Sequence, residues 1–561
     1  MNRRDFIGMT SVGAGTITAN LAEMPQHFPD VEHNTGIDTM NADLIIAGGG
    51  LGGVAAALAA LRNNLQVILT EETDWIGGQI TSQGVPPDEH QWIETHGAPL
   101  SYRQLRNGIR DYYLQHYPLT EDARKRENLN PGDGAVSRLC HEPRVALAVM
   151  NGMLAPYLSS GRLRILLEYK PVSASISGNR VSSLMVKSLR NGTLKKLTAP
   201  WFVDATELGE LLPMTGTEYI TGTESISQTK ELHAPLIADP KNHQAFTMCF
   251  AMDYVPGEDH VIEKPADYAF WKNHVPALNP AWPGKLLSLV YTHPSTLKPK
   301  QLGFHPEGIQ TGDSLNLWNY RKIINRHNFI PGTYQGDVTM VNWPQNDYML
   351  GSLIDVNEKV FKKHVDSAKQ LSLSLLFWLQ TEAVRTDGGK GWRGLRLRKD
   401  ILGTDDGLAK YPYIRESRRI KALFTVLEEH CGMEQSGRKA AYFNDSVGTG
   451  YYHIDLHPSN RGNNYIDFPS LPFQIPLGCL IPVRMENLLP ANKNIGTTHI
   501  TNGCYRLHPV EWSIGEAVGC LVAFAKEKNT IPKEVRENTQ WLAAFRHFIR
   551  EQGLETDWPV Q

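Results

Sequence analysis

Asp43-Leu-Ile-Ile-Ala47, Gly48-Gly-Gly-Leu-Gly-Gly53 and the alanine-rich run from Val54 to Arg62 form the stretch whose reading decides the fold. The first part is a short apolar strand, the second a G-x-G-x-x-G turn with extra glycines, and the third a helix. Bare backbone at Gly48 and Gly50 lets the chain turn tightly and approach a pyrophosphate. Gly53 lets helix and strand pack closely, and the positive end of the helix, at Leu51 and Gly52, faces the phosphates. Gln66-Val-Ile-Leu-Thr70 makes a second strand, and Glu71 ends it with a carboxylate able to accept hydrogen bonds from ribose hydroxyls. Strand, glycine turn, helix, strand and acid stand in the order that a dinucleotide site requires.

Upstream, Arg3-Arg4 precedes an uncharged run from Phe6 to Ala22, which reads as a twin-arginine export signal over 1–22. On this reading the protein is periplasmic or exported and the twin-arginine machinery is a partner; a frayed cytoplasmic tail is the alternative. The run is too short and too rich in Gly and Thr for a membrane span. Residues 23–41, polar and carrying Pro25 and Pro29, read as a linker, with order expected to begin near Ala42. Downstream, Glu142 to Leu158 has helical spacing with Pro143 suited to a first turn, and Arg164 to Leu167 is the next strand. Val172–Ile176 and Arg180–Lys187 suggest a β-meander. Trp201 to Thr206 returns to the parallel sheet, and Asn487 to Ala491 is a further apolar strand near the other end.

Glu71-Glu-Thr-Asp-Trp-Ile-Gly77-Gly78-Gln79 resembles the segment after the second strand in FAD-containing oxidoreductases of the glutathione-reductase-like superfamily, where a Gly-Gly pair passes close to the flavin. No C-x-x-x-x-C pair follows the glycine loop, which sets the chain apart from the disulfide-reductase branch. Ala205-Thr206 matches the nucleotide-contacting turn of that superfamily, with Glu207 in place of its glycine and Gly209 two residues on. Asn492-Lys493-Asn494 replaces the usual Gly-Asp of the second flavin motif. The run from His508 through Gly515 to Gly519 looks like the closing helix, whose amino end points at the flavin. The chain is thus similar to the bacterial FAD-dependent oxidoreductase family. That resemblance implies FAD rather than NAD. It implies cofactor contacts at Gly48, Gly50, Leu51, Gly52, Gly53, Glu71, Gly77, Gly78, Gln79, Ala205, Thr206, Gly209, Asn494, Gly515 and Gly519. The implied fold is α/β, a Rossmann-like FAD/NAD(P)-binding domain with a β-meander, interrupted by a large inserted α+β substrate domain. The nucleotide part covers 42–235 and 470–530, the insertion 236–469, and a C-terminal helix 531–561.

A chain of 561 residues with a net charge of −3 has no electrostatic call on nucleic acid, so the partner is expected to be a small molecule. Six scattered cysteines contain no C-x-x-C; Cys504 and Cys520 could bridge in an oxidising compartment, while buried free thiols are the plainer reading. For the proton that accompanies hydride transfer, His508 is the first candidate, with His499 and Glu511 behind it. Arg415, Arg418 and Arg419 surround Glu416 and could grip a substrate carboxylate or the FAD phosphates; a structural ion-pair network is the equal alternative. His453, Asp455 and His457 alternate as on one strand face, and His141 follows Cys140, but no fourth ligand is signalled and no metal is expected. Lys362 to Gln380 reads as a core helix and Thr539 to Glu551 as an amphipathic one. The function expected from all this is hydride exchange between flavin N5 and an alcohol or amine carbon of a small polar substrate. A non-oxidative flavoenzyme (isomerase or lyase) and a ligand-binding protein retaining the nucleotide fold are the alternatives. No second glycine-rich unit offers a nicotinamide site, and the electron acceptor stays open.

Overall fold

The computed structural model describes residues 37–310 and 313–559; the export-signal reading of 1–22 falls outside them. The described chain starts on β1 (Asp38–Asn41) and continues as β2 (Leu44–Ala47). It then turns through the glycines into α1 (Leu51–Arg62) and returns as β3 (Val67–Glu71). Helices α2 (Leu100–His116) and α3 (Pro143–Ser159) lead to β4 (Leu163–Leu167). β5 (Tyr169–Ser177), β6 (Arg180–Ser188) and β7 (Leu194–Thr198) form the meander, after which β8 (Trp201–Asp204) rejoins the main sheet.

In the middle of the chain, β9 (Phe250–Tyr254), β10 (Lys322–Ile324), β11 (Val338–Val341) and β12 (Leu395–Leu397) make an antiparallel sheet in the order β10-β11-β9-β12. The long helix α4 (Glu358–Thr381) starts at Asn357, whose side chain accepts from the Val360 N–H. The chain then supplies β13 (Leu488–Pro490), α5 (His499–Tyr505), α6 (His508–Lys528), α7 (Pro532–Glu537) and α8 (Thr539–Glu551).

The main sheet is parallel throughout, in the order β13-β8-β2-β3-β4. Its central strands are covered on both faces, by α1 and α6 on one side and by the meander sheet on the other, and every residue of β2, β3 and β8 is buried. A strand from residue 488 beside one from residue 201 gives the sheet its split origin.

Three readings change. A strand, β1, already stands before Ala42, because Asp38–Asn41 pairs in parallel with β7 at the edge of the meander sheet. Its polar Asp-Thr-Met-Asn sequence, exposed apart from Met40, carries no apolar alternation to announce a strand. The C-terminal segment is two helices rather than one, since the Asn538 side chain accepts from the Gln540 and Trp541 N–H groups and starts a new helix. Finally, Gly515 and Gly519, expected at the cofactor, lie where α6 packs on α1. A Cβ at Gly515 would lie 2.0 Å from the Gly52 carbonyl oxygen, and one at Gly519 would lie 2.4 Å from that of Ala56. They are the points at which the α6 and α1 backbones touch.

The six cysteines are free and buried, and Cys504 lies beside Cys431, with their Sγ atoms 3.9 Å apart, rather than beside Cys520.

Candidate active site

Where the central strands end, the glycine turn opens a cavity lined by Gly48, Gly50, Thr70, Glu71, Gly78, Gln83, Ala205, Thr206 and Glu207. Gly48 has φ = 97°, and a Cβ there would sit 2.2 Å from the Ala205 carbonyl oxygen, so β2 and β8 close on each other only around bare backbone. Leu51, Gly52 and Gly53 form the buried first turn of α1. Glu71 accepts from the Gly49 N–H at 2.8 Å and from the N–H and hydroxyl of Thr73, each at 2.8 Å. Burial pushes its carboxyl up to about 7 against those hydrogen bonds. Thr70 Oγ1 and both ends of the fully buried Gln83 amide have no partner within the protein. Buried polar groups are nearly always satisfied, so these lining atoms fit the polar edge of a bound nucleotide, and the residues present fit FAD.

Gly77 hydrogen-bonds through its N–H to the Gly49 carbonyl (2.7 Å), which brings Gly78 against the glycine turn. The Gln79 amide donates to the Arg506 carbonyl (3.1 Å) and to Glu511. Two of the expected cofactor residues also tie neighbouring elements together. Asn494 accepts from the Asn492 N–H (3.1 Å) and donates to the Asp204 carbonyl (3.0 Å), tying the turn after β13 to β8. Gly209 packs on the Arg418 backbone.

Glu511 also moves from its expected role. Because α6 lies along α1, its first turn meets the α1 amino terminus, and Glu511 Oε1 accepts from the Gly52 N–H at 3.1 Å. Burial raises its carboxyl, with Lys493 opposing and Glu207 reinforcing the shift. It belongs to the cofactor end, not to substrate chemistry.

The segment from Gly78 to Asp88 runs from this cavity to a second one of about 210 Å³, whose wall includes Asp88, Arg321, Arg415, Arg506, Asp455, His453 and His457. Arg415 donates to the Ala245 carbonyl and Thr247 hydroxyl (2.9 Å each) and to Asn342 Oδ1 (3.1 Å), and it pairs with Asp347 at 3.0 Å. Arg506 donates to the Tyr413 hydroxyl (3.0 Å) and to Asp455 (2.9 Å). Burial works against ionising Asp455, yet His457 and Arg506 hold its carboxyl far below the usual range. Asp88 accepts no hydrogen bond at Oδ1, although the Arg321 guanidinium lies 3.3 Å away.

His508 is fully buried behind this wall. Its Nδ1 accepts from the Asp88 backbone N–H at 3.0 Å, which leaves the ring hydrogen on Nε2, an atom with no partner within the protein. Burial lowers its pKa to about 4, with Asp88 and Glu89 opposing the shift and Arg321 and Arg506 adding to it. His508 is therefore a neutral ring offering a fixed Nε2–H donor, which revises its expected role as the group that takes the proton.

His499 is not part of this cavity wall. Its Nδ1 faces Glu416 Oε1 at 2.9 Å in a buried network with Arg419 and Glu224. Arg418 donates to the Leu208 carbonyl and pairs with Asp355, each at 2.8 Å. The arginine stretch is thus divided: Arg415 reaches the cavity, while Arg418 and Arg419 hold the framework. His453 and His457 line the cavity with each Nδ1 against a carboxylate, Asp467 at 3.0 Å and Asp347 at 2.6 Å. Asp88 and Arg321 carry no local signal in the sequence, whereas Arg506 stands two residues before His508, and Asn342 and Tyr413 open stretches (342–348 and 413–419) that resemble the same family.

His141, 2% exposed, shares the depressed pKa of about 4, again through burial. An unfolded histidine titrates near 6.5, so between about pH 6.5 and 4 the unfolded chain binds protons that the folded chain refuses. The stability from keeping these rings neutral is full above pH 6.5 and is lost as pH falls toward 4, at up to about 3 kcal/mol per ring. Thermal melts across that range should show a falling midpoint, and His508→Gln should flatten the slope. An unchanged slope would refute the buried-neutral assignment.

No curated protein sequence matches the chain. Among solved structures, p-nitrophenol 4-monooxygenase PnpA from Pseudomonas putida DLL-E4 is 9% identical, with 93% of this chain and 88% of that one covered and a TM-score of 0.35. OxyS anhydrotetracycline hydroxylase from Streptomyces rimosus is 9% identical, with 92% and 68% covered and a TM-score of 0.34. The Mycobacterium smegmatis Sdh1 complex in its apo form is 12% identical over 39% of this chain, with a TM-score of 0.22. Here the chain spans 42% of the matched length. The family model described as FAD dependent oxidoreductase matches residues 43–548, from the first residue of the glycine-turn unit into the last helix. The chain belongs to the FAD-dependent oxidoreductase family, an enzyme family whose cofactor is FAD.

Proposed function

We propose that the enzyme exchanges a hydride between flavin N5 and an alcohol or amine carbon of a small polar substrate seated in the 210 Å³ cavity. One observation carries the reading: a buried, neutral histidine with an unpartnered N–H stands beside a cavity-lining carboxylate that lacks a hydrogen-bond donor. When bound, FAD supplies a two-electron acceptor. The chain supplies the rest. Glu71, the glycine turn and the α1 amino terminus hold the nucleotide. Arg321, Arg415 and Arg506 orient polar groups of the substrate. Asp88 takes the hydroxyl or ammonium proton, and its own backbone N–H fixes the His508 tautomer, so that Nε2–H is held as a donor.

The test is an anaerobic titration of the yellow protein with small alcohols and amines. The flavin absorbance should bleach with substrate and return with an artificial electron acceptor. A substrate that turns over while the band never bleaches would instead establish the isomerase or lyase alternative.

A further inference from the structure

We infer that the alcohol is a carbohydrate: one neutral sugar ring occupies the inner cavity, and the rest of the glycan leaves through a neighbouring groove over an aromatic rim. This rests on the dehydrogenase reading above and names its substrate class.

Charge comes first. Each inner-wall guanidinium faces a carboxylate: Arg321 faces Asp88 at 3.3 Å, Arg415 faces Asp347 at 3.0 Å and Arg506 faces Asp455 at 2.9 Å. His453 and His457 also face carboxylates. No guanidinium is left over for a substrate carboxylate or phosphate, and the three carboxylates they pair with are not free for an ammonium. Asp347 is shared by Arg415 and His457, and Asp467 faces His453. A charged ligand at a guanidinium pair would therefore strand one buried charge, which is costly.

Hydrogen-bonding capacity points the same way. The Nε–H of all three arginines and the Asn342 amide lack acceptors, while Asp88 Oδ1 lacks a donor. A hydroxyl both donates and accepts, so a row of vicinal hydroxyls meets both needs at once. Tyr291, Tyr320, Tyr413, Tyr452, Tyr465 and Trp343 complete the wall, an aromatic lining of the kind on which the C–H face of a sugar rests. At about 210 Å³ the chamber is smaller than the roughly 300–1,000 Å³ of pockets for drug-sized ligands, which limits it to about one ring.

Tyr452 and His453 also line an outer groove of about 400 Å³ bounded by Glu89–Gln91 and Ala135–Arg138. Beside it, Trp92 lies 5.3 Å from Tyr451 and 5.8 Å from Trp558, centroid to centroid, all three partly exposed. Exposed aromatic clusters at the mouth of a polar cavity give a following sugar ring an apolar face to rest on.

The chemistry balances. Oxidising a carbinol carbon to a carbonyl releases two electrons and two protons: the C–H bond breaks with its electron pair and passes as hydride to FAD. The O–H proton goes to the Asp88 carboxylate.

The experiment is isothermal titration calorimetry of the FAD-loaded protein with neutral monosaccharides and disaccharides (glucose, galactose, mannose, cellobiose, maltose, lactose). Lactate and propylamine are run as charged controls, and anaerobic bleaching is followed in parallel. At least one neutral sugar is expected to bind, with its disaccharide tighter than the monosaccharide. Trp92→Ala should cut the disaccharide-to-monosaccharide affinity ratio by about 2- to 10-fold. Binding of lactate or propylamine with none of the sugars bound would overturn the inference, and so would no binding of any sugar. The two readings fail separately. Sugar binding without bleaching defeats the dehydrogenase reading and leaves the carbohydrate site, whereas bleaching by lactate or propylamine without sugar binding does the reverse.

Discussion

Asp88→Asn is expected to slow anaerobic flavin reduction by roughly 10²–10⁴-fold, the usual worth of a positioned general base, while the purified protein stays yellow. Asparagine keeps the shape of the side chain and can still accept from Arg321, but it cannot take a proton. The main-chain N–H that holds His508 Nδ1 is untouched by the change, so the ring keeps its tautomer. The loss should therefore fall on kcat and on the single-turnover rate, with little change in KM. His508→Gln makes the contrast. It removes the unpartnered Nε2–H rather than the proton acceptor, so its single-turnover rate should fall less than that of Asp88→Asn. An Asp88→Asn rate within tenfold of the parent enzyme would move the base to another wall carboxylate, Asp455 or Asp467.

The second large effect is at Gly52, where a single methyl is expected to abolish FAD binding and most of the folded yield. A Cβ there would lie 1.6 Å from the Ala491 carbonyl oxygen, and Gly52's own carbonyl is already pressed against Gly515. Both neighbours are backbone, one in the turn after β13 and the other in α6, so no side chain can rotate away. Ordinary overpacking costs about 1–3 kcal/mol; displacing two backbone segments at once exceeds that range. Gly152→Ala in α3 is the matched control. Nothing lies within 4 Å of its added methyl, and helix propensity alone predicts a gain of about 1 kcal/mol. Melting curves and the flavin-to-protein absorbance ratio separate the two variants. A Gly52→Ala protein that melts with the parent and holds FAD would show that α1 can shift on the sheet.

The nucleotide-binding half was legible because its chemistry is local. Strand, glycines, helix and Glu71 are contiguous, and each residue type has one physical reason to be there. The closing helix was legible for the same reason, but the purpose of its glycines was not. Residues four apart in a helix can face a cofactor or another helix, and only the packing of α6 on α1 decides which. The substrate cavity was nearly invisible, since Asp88, Arg321, Arg415 and Arg506 come from four distant segments with no shared spacing. Arginine beside glutamate at 415–419 read as one cluster. In the fold Arg415 reaches Asp347 and Asn342 while Arg419 reaches Glu224 and Glu416, so neighbours in sequence end in different networks. The His508 tautomer depends on a backbone N–H from Asp88, and no residue pattern encodes such a contact.

The pairing of Leu488 with Phe202 at the sheet edge has a consequence for how the enzyme comes into being. A ribosome needs roughly 15–60 s to make the stretch between Asp204 and Leu488. Throughout that interval β8 has no neighbour on one side, and the carbonyl of Ala491 that braces Gly52 does not yet exist. A nascent chain thus carries the glycine turn without the means to keep FAD. Cofactor capture becomes the closing event of biosynthesis, and until then the bare edge of β8 is the part of the molecule most in need of a chaperone.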